Sequence, residues 1–166
     1  MDLSYVIDRL QPADWEQVRA IYLEGIASRN ATFETVAPGW EKWTGSHLPF
    51  ARLVARAGRT VLGWAALGPV SSRRCYAGVA EASVYVSAAQ TRRGIGKALL
   101  QALITVSEQN GVWTLQAAVF PENRASIALV RCCGFRQVGR RERIARLDGV
   151  WRDVLLLERR SAVAGR

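Results

Sequence analysis

Val84-Tyr85-Val86, followed by Gln90-Thr91-Arg92-Arg93-Gly94-Ile95-Gly96-Lys97, is a short apolar strand that runs through a basic, glycine-containing turn into a helix. From Ile95 onward the apolar residues fall at Ile95, Leu99, Ala102, Leu103 and Val106, the spacing of one buried helical face. The two glycines therefore stand at a helix start. Several backbone N–H groups lack intrahelical partners there and the helix dipole is positive, so a phosphate is stabilised wherever Gly94 and Gly96 let the backbone approach closely. Arg92 and Arg93 add charge beside it. A dinucleotide fingerprint needs a third glycine where Leu99 stands, and a P-loop needs Ser or Thr where Ala98 stands, so neither motif fits. From the residues alone, a phosphate cradle and a plain strand-to-helix connection with solvated arginines both remain open.

Outward from this unit the pattern alternates between strands and helices. Residues 5–10 read as a first strand, and Pro12 opens a helix with Val18, Ile21, Tyr22 and Ile26 along one side. A short helix is expected over 40–47, then strands over 52–56 and 61–67 around a turn at Ala57-Gly58-Arg59. The loop 68–78 is long enough to carry function. A strand over 82–86, a helix over 94–110, a strand over 114–119, a helix over 123–133 and two strands over 136–144 and 150–158 complete a mixed α/β order. With no internal repeat or linker, one domain over 1–160 is expected, with 161–166 as a loose tail.

Further motifs stand in order along the chain: Asn30-Ala31-Thr32-Phe33-Glu34-Thr35, Glu81-Ala82-Ser83-Val84-Tyr85-Val86, Asn123 with Ser126, Leu129 and Gly134-Phe135, and Gly149-Val150-Trp151-Arg152-Asp153-Val154. Together with the glycine turn they resemble the GNAT superfamily of N-acetyltransferases, and within it the phosphinothricin-type enzymes, over nearly the whole chain. The superfamily's acetyl-CoA loop is Gln or Arg, two residues, Gly, one residue, then Gly or Ala; Thr91 departs from its first position. The resemblance implies an α/β (α+β) GNAT fold: a mixed, partly parallel sheet of about seven strands flanked by about four helices. It also implies that the sheet splays between 82–86 and 114–119, where the pantetheine arm of acetyl-CoA lies like an added strand. The cofactor-binding residues it implies are Val84, Tyr85, Val86, Arg92, Arg93, Gly94, Ile95, Gly96, Lys97, Asn123 and Ser126, with no metal.

The 166 residues suffice for one core that buries roughly two-thirds of the unfolded surface. Hydrophobic residues at 49% and charged ones at 22% exclude a disordered chain. The longest apolar stretch, 61–67, is too short to span a bilayer, and the opening residues with Asp2 and Asp8 are unlike a secretory signal, so a cytoplasmic location without membrane partners is expected. The net charge of +9 invites a nucleic-acid reading. Its arginines are spread along the chain without a binding signature, so no nucleic acid is expected, and a basic face equally attracts a ligand carrying three phosphates such as coenzyme A. Cys75, Cys132 and Cys133 have no metal spacing, and Cys132 and Cys133 read as small core residues. His47, the single histidine, reads as surface loop.

Acetyl transfer needs a neutral amine, and a free amine is mostly protonated near neutral pH, so a base is required. The resemblance places the catalytic carboxylate at Glu81, at the opening of its strand; the plainer reading is a strand-end glutamate paired with Arg73 or Arg74. A backbone N–H near Tyr85 or Val86 is expected to polarise the thioester carbonyl. For the acceptor the resemblance implies Phe33, Arg73, Tyr76 and Tyr85, Arg73 gripping an anionic group bidentately. Asn123 is expected to cap a helix as well as hold the cofactor arm. Where many relatives carry a Tyr or His acid, this chain has Val130, which has no proton to give. Trp151 and Asp153 read as packing and strand-end structure or part of a dimer seam. The expected activity is N-acetylation of a phosphinothricin-like amino-acid analogue (phosphinothricin, methionine sulfoximine or arsinothricin), giving resistance, by a homodimer. The alternatives are a protein N-terminal or polyamine acetyltransferase, a catalytically silent acyl-CoA-binding module, and a basic nucleic-acid binder.

Overall fold

Residues 4–166 are described by a computed structural model. Its elements in chain order are β1 (Val6–Arg9), α1 (Trp15–Ala27), α2 (Trp40–Gly45), β2 (Arg52–Ala57), β3 (Thr60–Pro69), β4 (Val79–Val86), α3 (Ile95–Gln109), β5 (Thr114–Val119), α4 (Arg124–Cys132), β6 (Arg136–Leu147) and β7 (Val150–Arg160). The strands form one sheet in the order β1-β2-β3-β4-β5-β7-β6. Only β4 and β5 run parallel; every other neighbouring pair is antiparallel.

The two sheet faces divide the core. On one face, Ile95, Leu99, Leu100 and Leu103 of α3 pack with Leu62, Ala65, Leu67, Leu115 and Leu157. On the other, Trp15, Val18 and Ile21 of α1 and Trp43 of α2 pack over Val54, Trp64 and Ala66. Residues 61–67 of β3 are buried on both sides, which explains why that strand reads as a continuous apolar run and not as an alternation. Burying side chains of this size stabilises by about 1.5–3 kcal/mol each, so the α1–α2 layer is no loose cover.

Several boundaries differ from the sequence reading for local reasons. Pro12 starts a short 3₁₀ turn, and α1 begins only at Trp15. Asp14 accepts from the Gln11 amide at 2.7 Å and from the Arg56 guanidinium at 2.9 and 2.8 Å, which pins that turn to β2. β4 begins at Val79, so Glu81 is its third residue and does not open it; the added residues are held by the distant β5, through pairs Val79 with Thr114 and Glu81 with Gln116. Ser161, just past β7, is bonded to the body: its amide donates to the Trp113 carbonyl at 2.9 Å and its hydroxyl to Glu108 at 2.9 Å. Cys133 is buried, whereas Cys132 is exposed and so is not a core residue, because α4 turns it toward solvent.

Candidate active site

β4 and β5 stay bonded for only three register pairs, Val79–Glu81 with Thr114–Gln116, and then part. β5 goes on beside β7 to Val119, while β4 goes on beside β3 to Val86. A cleft of about 680 Å³ opens between them, lined by Ala82, Ser83, Val84 and Tyr85 from one strand and Ala117 to Val119 from the other. The Ser87 amide donates to the Leu62 carbonyl at 2.9 Å. Antiparallel alternation therefore turns the amides of Tyr85 and Ser83 toward β3 and those of Val84 and Val86 toward the gap. The expected carbonyl-polarising donor is thus an amide of Val84 or Val86; the Tyr85 amide faces the wrong way.

The glycine turn sits at the α3 end of this cleft. Gly94 takes the left-handed N-cap position of α3 at φ +76°, and the Ala98 amide donates back to the Gly94 carbonyl at 3.0 Å. The amides of Ile95, Gly96 and Lys97 then have no partner inside the helix. Arg92 also has a positive φ of 63°, so the turn folds its amides into a concave, anion-accepting surface. Arg92, Arg93 and Lys97 are exposed around it, whereas Ile95 is buried and offers only its backbone. Gly96 also serves the packing of the helix. A Cβ there would stand 3.3 Å from Leu129 Cδ2 and 3.6 Å from Val86 Cγ2, so its missing side chain lets α3 approach α4 closely.

Asn123 caps α4: its Oδ1 accepts from the Ser126 amide at 3.1 Å. Its Nδ2 donates to the Asn30 carbonyl at 2.9 Å, so both ends of the amide are engaged within the protein. That bond ties the 30–34 loop to the helix across the cleft. Phe33 on this loop meets Phe120 edge-to-face at 4.9 Å and lines the cleft, as do Asn123 and Ser126. Tyr85 stacks on Trp64 at 4.7 Å and meets Tyr22 edge-on at 5.0 Å. Burial, with the neighbouring Tyr22, pushes the Tyr85 phenol far above its ordinary range, and burial raises Tyr22 as well, so both hydroxyls are fixed as donors.

Glu81 faces both the cleft and an adjoining smaller pocket of about 360 Å³. The Gln116 amide donates to its carboxylate at 3.3 Å. Among the described residues neither Arg73 nor Arg74 forms an ion pair with it. Arg73 and Tyr76 do not line the cleft: both are exposed in the 70–78 loop, the Arg73 guanidinium 5.5 Å from the Tyr76 ring centre. The early start of β4 carries that loop past the end of the sheet. Val130 is buried and does line the cleft.

The cationic lining comes instead from Lys42 and Arg141, which the sequence reading missed, and the anionic lining from Glu34 and Glu81. Arg141 is there because β6 bulges between Arg141 and Ala145. Asp153 holds that bulge, accepting from the Arg143 amide at 2.8 Å and Arg140 Nε at 2.8 Å. These bonds keep the Asp153 carboxyl below the usual carboxylate range. Asp153 is thus a clasp on the cleft wall, and the Arg146 guanidinium lies 4.3 Å over the exposed Trp151 ring at the hairpin end. His47 is also missed: far from a surface loop residue, it is partly buried against Trp43 and lines both pockets. Trp64 and Tyr22 could have been found, since β3 pairs Trp64 opposite Tyr85 and α1 repeats toward the same face; nothing in the sequence marks the bulge.

Residues 13–135 match the sequence pattern of the acetyltransferase (GNAT) family. The chain is 31% identical over 152 residues to an L-methionine sulfoximine/L-methionine sulfone acetyltransferase of Pseudomonas aeruginosa, covering 88% of each. A phosphinothricin acetyltransferase from Sinorhizobium meliloti, solved in complex with acetyl-CoA, superposes with a TM-score of 0.87 at 27% identity, covering 99% of this chain and 91% of that one. A ribosomal-protein-alanine N-acetyltransferase from Brucella melitensis superposes with a TM-score of 0.86 at 29% identity, covering 94% and 99%. No helix among the described residues is long and apolar enough to cross a membrane.

Proposed function

Since the chain belongs to the acetyltransferase (GNAT) family, we propose that it transfers acetyl from acetyl-CoA to the α-amine of a zwitterionic amino-acid analogue such as phosphinothricin, methionine sulfoximine or arsinothricin. The observation that carries this reading is the parting of β4 from β5: the cleft it opens is lined by strand residues and by Leu129, and the left-handed, anion-accepting turn that starts α3 lies next to Leu129 and Val86. Those features fit acetyl-CoA, which supplies an activated acetyl thioester. The free amides of Ile95, Gly96 and Lys97, with Arg92 and Arg93, would hold its phosphates. The outward amides of Val84 and Val86 would hold its arm and meet the carbonyl oxygen that gains charge.

On the acceptor side, Glu81 takes the amine proton, directly or through one water, and the Gln116 amide donates to its carboxylate. Lys42 and Arg141 supply positive charge for the acceptor's carboxylate and second anionic group, while Phe33, Tyr85 and Phe120 form the apolar wall. A lining with both signs suits a zwitterion better than a polycation, which favours the amino-acid reading over a polyamine. The Brucella likeness favours one second reading, a peptide N-terminus. A cytoplasmic homodimer conferring resistance to such analogues accompanies the proposal. The exposed Val138, Ile144, Val150 and Trp151 on the β6–β7 hairpin would form its seam.

Thiol release from acetyl-CoA, followed with phosphinothricin, methionine sulfoximine and an alanine-initiated peptide, tests the reading. At least one amino-acid analogue should turn over faster than the peptide. Glu81→Gln should lower turnover roughly a hundredfold or more while acetyl-CoA affinity, by calorimetry, stays nearly unchanged. Faster turnover of the peptide would reassign the acceptor, and near-native turnover by Glu81→Gln would remove it as the base.

A further inference from the structure

His47 stands one strand away from Glu81, on the same side of the sheet. Glu81 lies directly across from Gly68 in the β3–β4 ladder, and directly opposed residues share a face. A Cβ at Gly68 would point at the Ser46 carbonyl, 3.3 Å away, and the Leu48 amide donates to the Leu67 carbonyl at 2.8 Å. The segment carrying His47 is therefore laid over the position beside Glu81, and Gly68 is what lets it lie so close. His47, Ser46, Glu81 and Ser83 each line both the cleft and the smaller pocket, which makes this group the junction between the two.

The imidazole has one defined tautomer. Its Nδ1 lies 2.6 Å from the Trp43 carbonyl, and a carbonyl only accepts, so Nδ1 carries the hydrogen and Nε2 keeps a free lone pair. The ring is held between Trp43 at 4.4 Å and Trp64 at 6.4 Å, and Arg52 donates to the His47 carbonyl at 2.7 Å. The charged groups around it are Arg52 of β2 on its backbone side, Glu81 of β4 across the junction, and Lys42 and Glu34 on the cleft wall.

We propose that His47 is the second member of a proton relay that runs from the acceptor amine through Glu81 to Nε2 and out by the smaller pocket; this rests on the acetyltransferase reading of the same cleft. The balance of the reaction requires an exit. An ammonium acceptor loses two protons as the N–C bond forms and the C–S bond breaks. One ends on the departing thiolate and one is released. Glu81 alone would be left protonated after each turnover, and Nε2 resets it by accepting that proton through water at the junction and passing it on into the pocket lined by Gly68, Pro69, Val70 and Gln116. Burial holds the imidazole below its ordinary range, the Trp43 hydrogen bond working against this and the Arg52 charge with it, so the ring is neutral and able to accept at physiological pH.

His47→Asn keeps a donor for the Trp43 carbonyl and removes the basic nitrogen. With an acceptor that the wild type acetylates, it should lower kcat by about tenfold or more, remove an ionisation from the acid limb of the pH–rate profile and leave acetyl-CoA affinity unchanged. His47→Ala should recover turnover with added imidazole. Turnover within twofold of wild type overturns the relay, and so does a loss that comes with no change in the acid limb and no imidazole rescue. Because the chain has a single histidine, ring ¹⁵N resonances give a readout independent of turnover. They should show the Nδ1–H tautomer, and if the relay couples the two groups Glu81→Gln should move the His47 titration to lower pH by removing a negative charge from the shared junction. An unmoved titration overturns the relay even if the protein proves to acetylate nothing tested, whereas silence of the wild type with every amine overturns the acetyltransferase reading alone.

Discussion

Asn123 is bonded at both ends of its amide, and the two bonds can be broken separately. Asn123→Ala removes the acceptor for the Ser126 amide and the donor to the Asn30 carbonyl. Loss of a helix cap costs about 1 kcal/mol, and loss of a partly buried hydrogen bond about another 1 kcal/mol. Asn123→Asp keeps the cap acceptor, gains slightly from the helix dipole, and loses only the donor, so it should cost about 1 kcal/mol. For a chain of this length each kcal/mol lowers Tm by about 2–4 °C, so Asp should fall by one such step and Ala by two. Function should follow the other bond. Both variants release the loop that brings Phe33 into the cleft, so both should raise the acceptor KM by a similar factor. Acetyl-CoA affinity should change less than about threefold, because neither end of the side chain is free for the cofactor arm. Thermal melts, acceptor kinetics and calorimetry on the two variants check this. Equal destabilisation by Asp and Ala, or a tenfold loss of acetyl-CoA affinity at unchanged acceptor KM, would show that the tether to Asn30 is not what Asn123 does.

The two glycines of the turn should separate. Gly96→Ala meets only the flexible tip of Leu129 and should keep acetyl-CoA affinity within about threefold, whereas Gly96→Val should overpack the α3–α4 contact and lower stability by about 1–3 kcal/mol. A stable Gly96→Ala variant that fails to bind would return that glycine to the phosphate cradle. Asp153→Ala should free the β6 bulge and raise KM for an anionic acceptor with acetyl-CoA affinity unchanged; equal loss for neutral and anionic amines would mean that the bulge shapes the cleft without presenting Arg141.

The helices and the glycine turn were legible because their signals are local. The 3.6-residue repeat from Ile95, the cap at Asn123 and the turn at Gly58 each depend on residues within one or two turns of chain. The seven strands were legible as well, though β4 gained Val79, Ala80 and Glu81 only through pairing with β5, which lies 35 residues further on. Of the residues expected on the acceptor side, Glu81, Phe33 and Tyr85 line the cleft, whereas Arg73 and Tyr76 stand outside its lining on the exposed 70–78 loop. Their exposed loop carries the right chemistry, but its direction is set by where β4 starts. Arg141 and His47 were missed for the same reason in reverse. One is turned inward by a bulge and the other by a helix end resting on Gly68, and neither placement has a pattern within its own segment.

The parting of β4 from β5 also explains why the cleft takes an extended ligand. An ordinary interior strand would bond every amide to a neighbour, and a buried amide left without a partner costs about 1–3 kcal/mol. β4 leaves the Val84 and Val86 amides facing the gap, between side walls made of Val84, Leu100, Leu129 and Val130. An edge of this kind elsewhere on the sheet would invite pairing with another chain. Here it is recessed, since β5 turns away toward β7 and Leu129 and Val130 of α4 line the far side, a setting suited to a narrow ligand that bears amide groups. The same divergence exposes the Glu81 side of β4 to the α1–α2 layer, where Trp43, Trp64 and Tyr85 leave room for an acceptor. Under the proposed acetyl transfer, donor and acceptor would meet just beyond Glu81, where the parallel ladder stops.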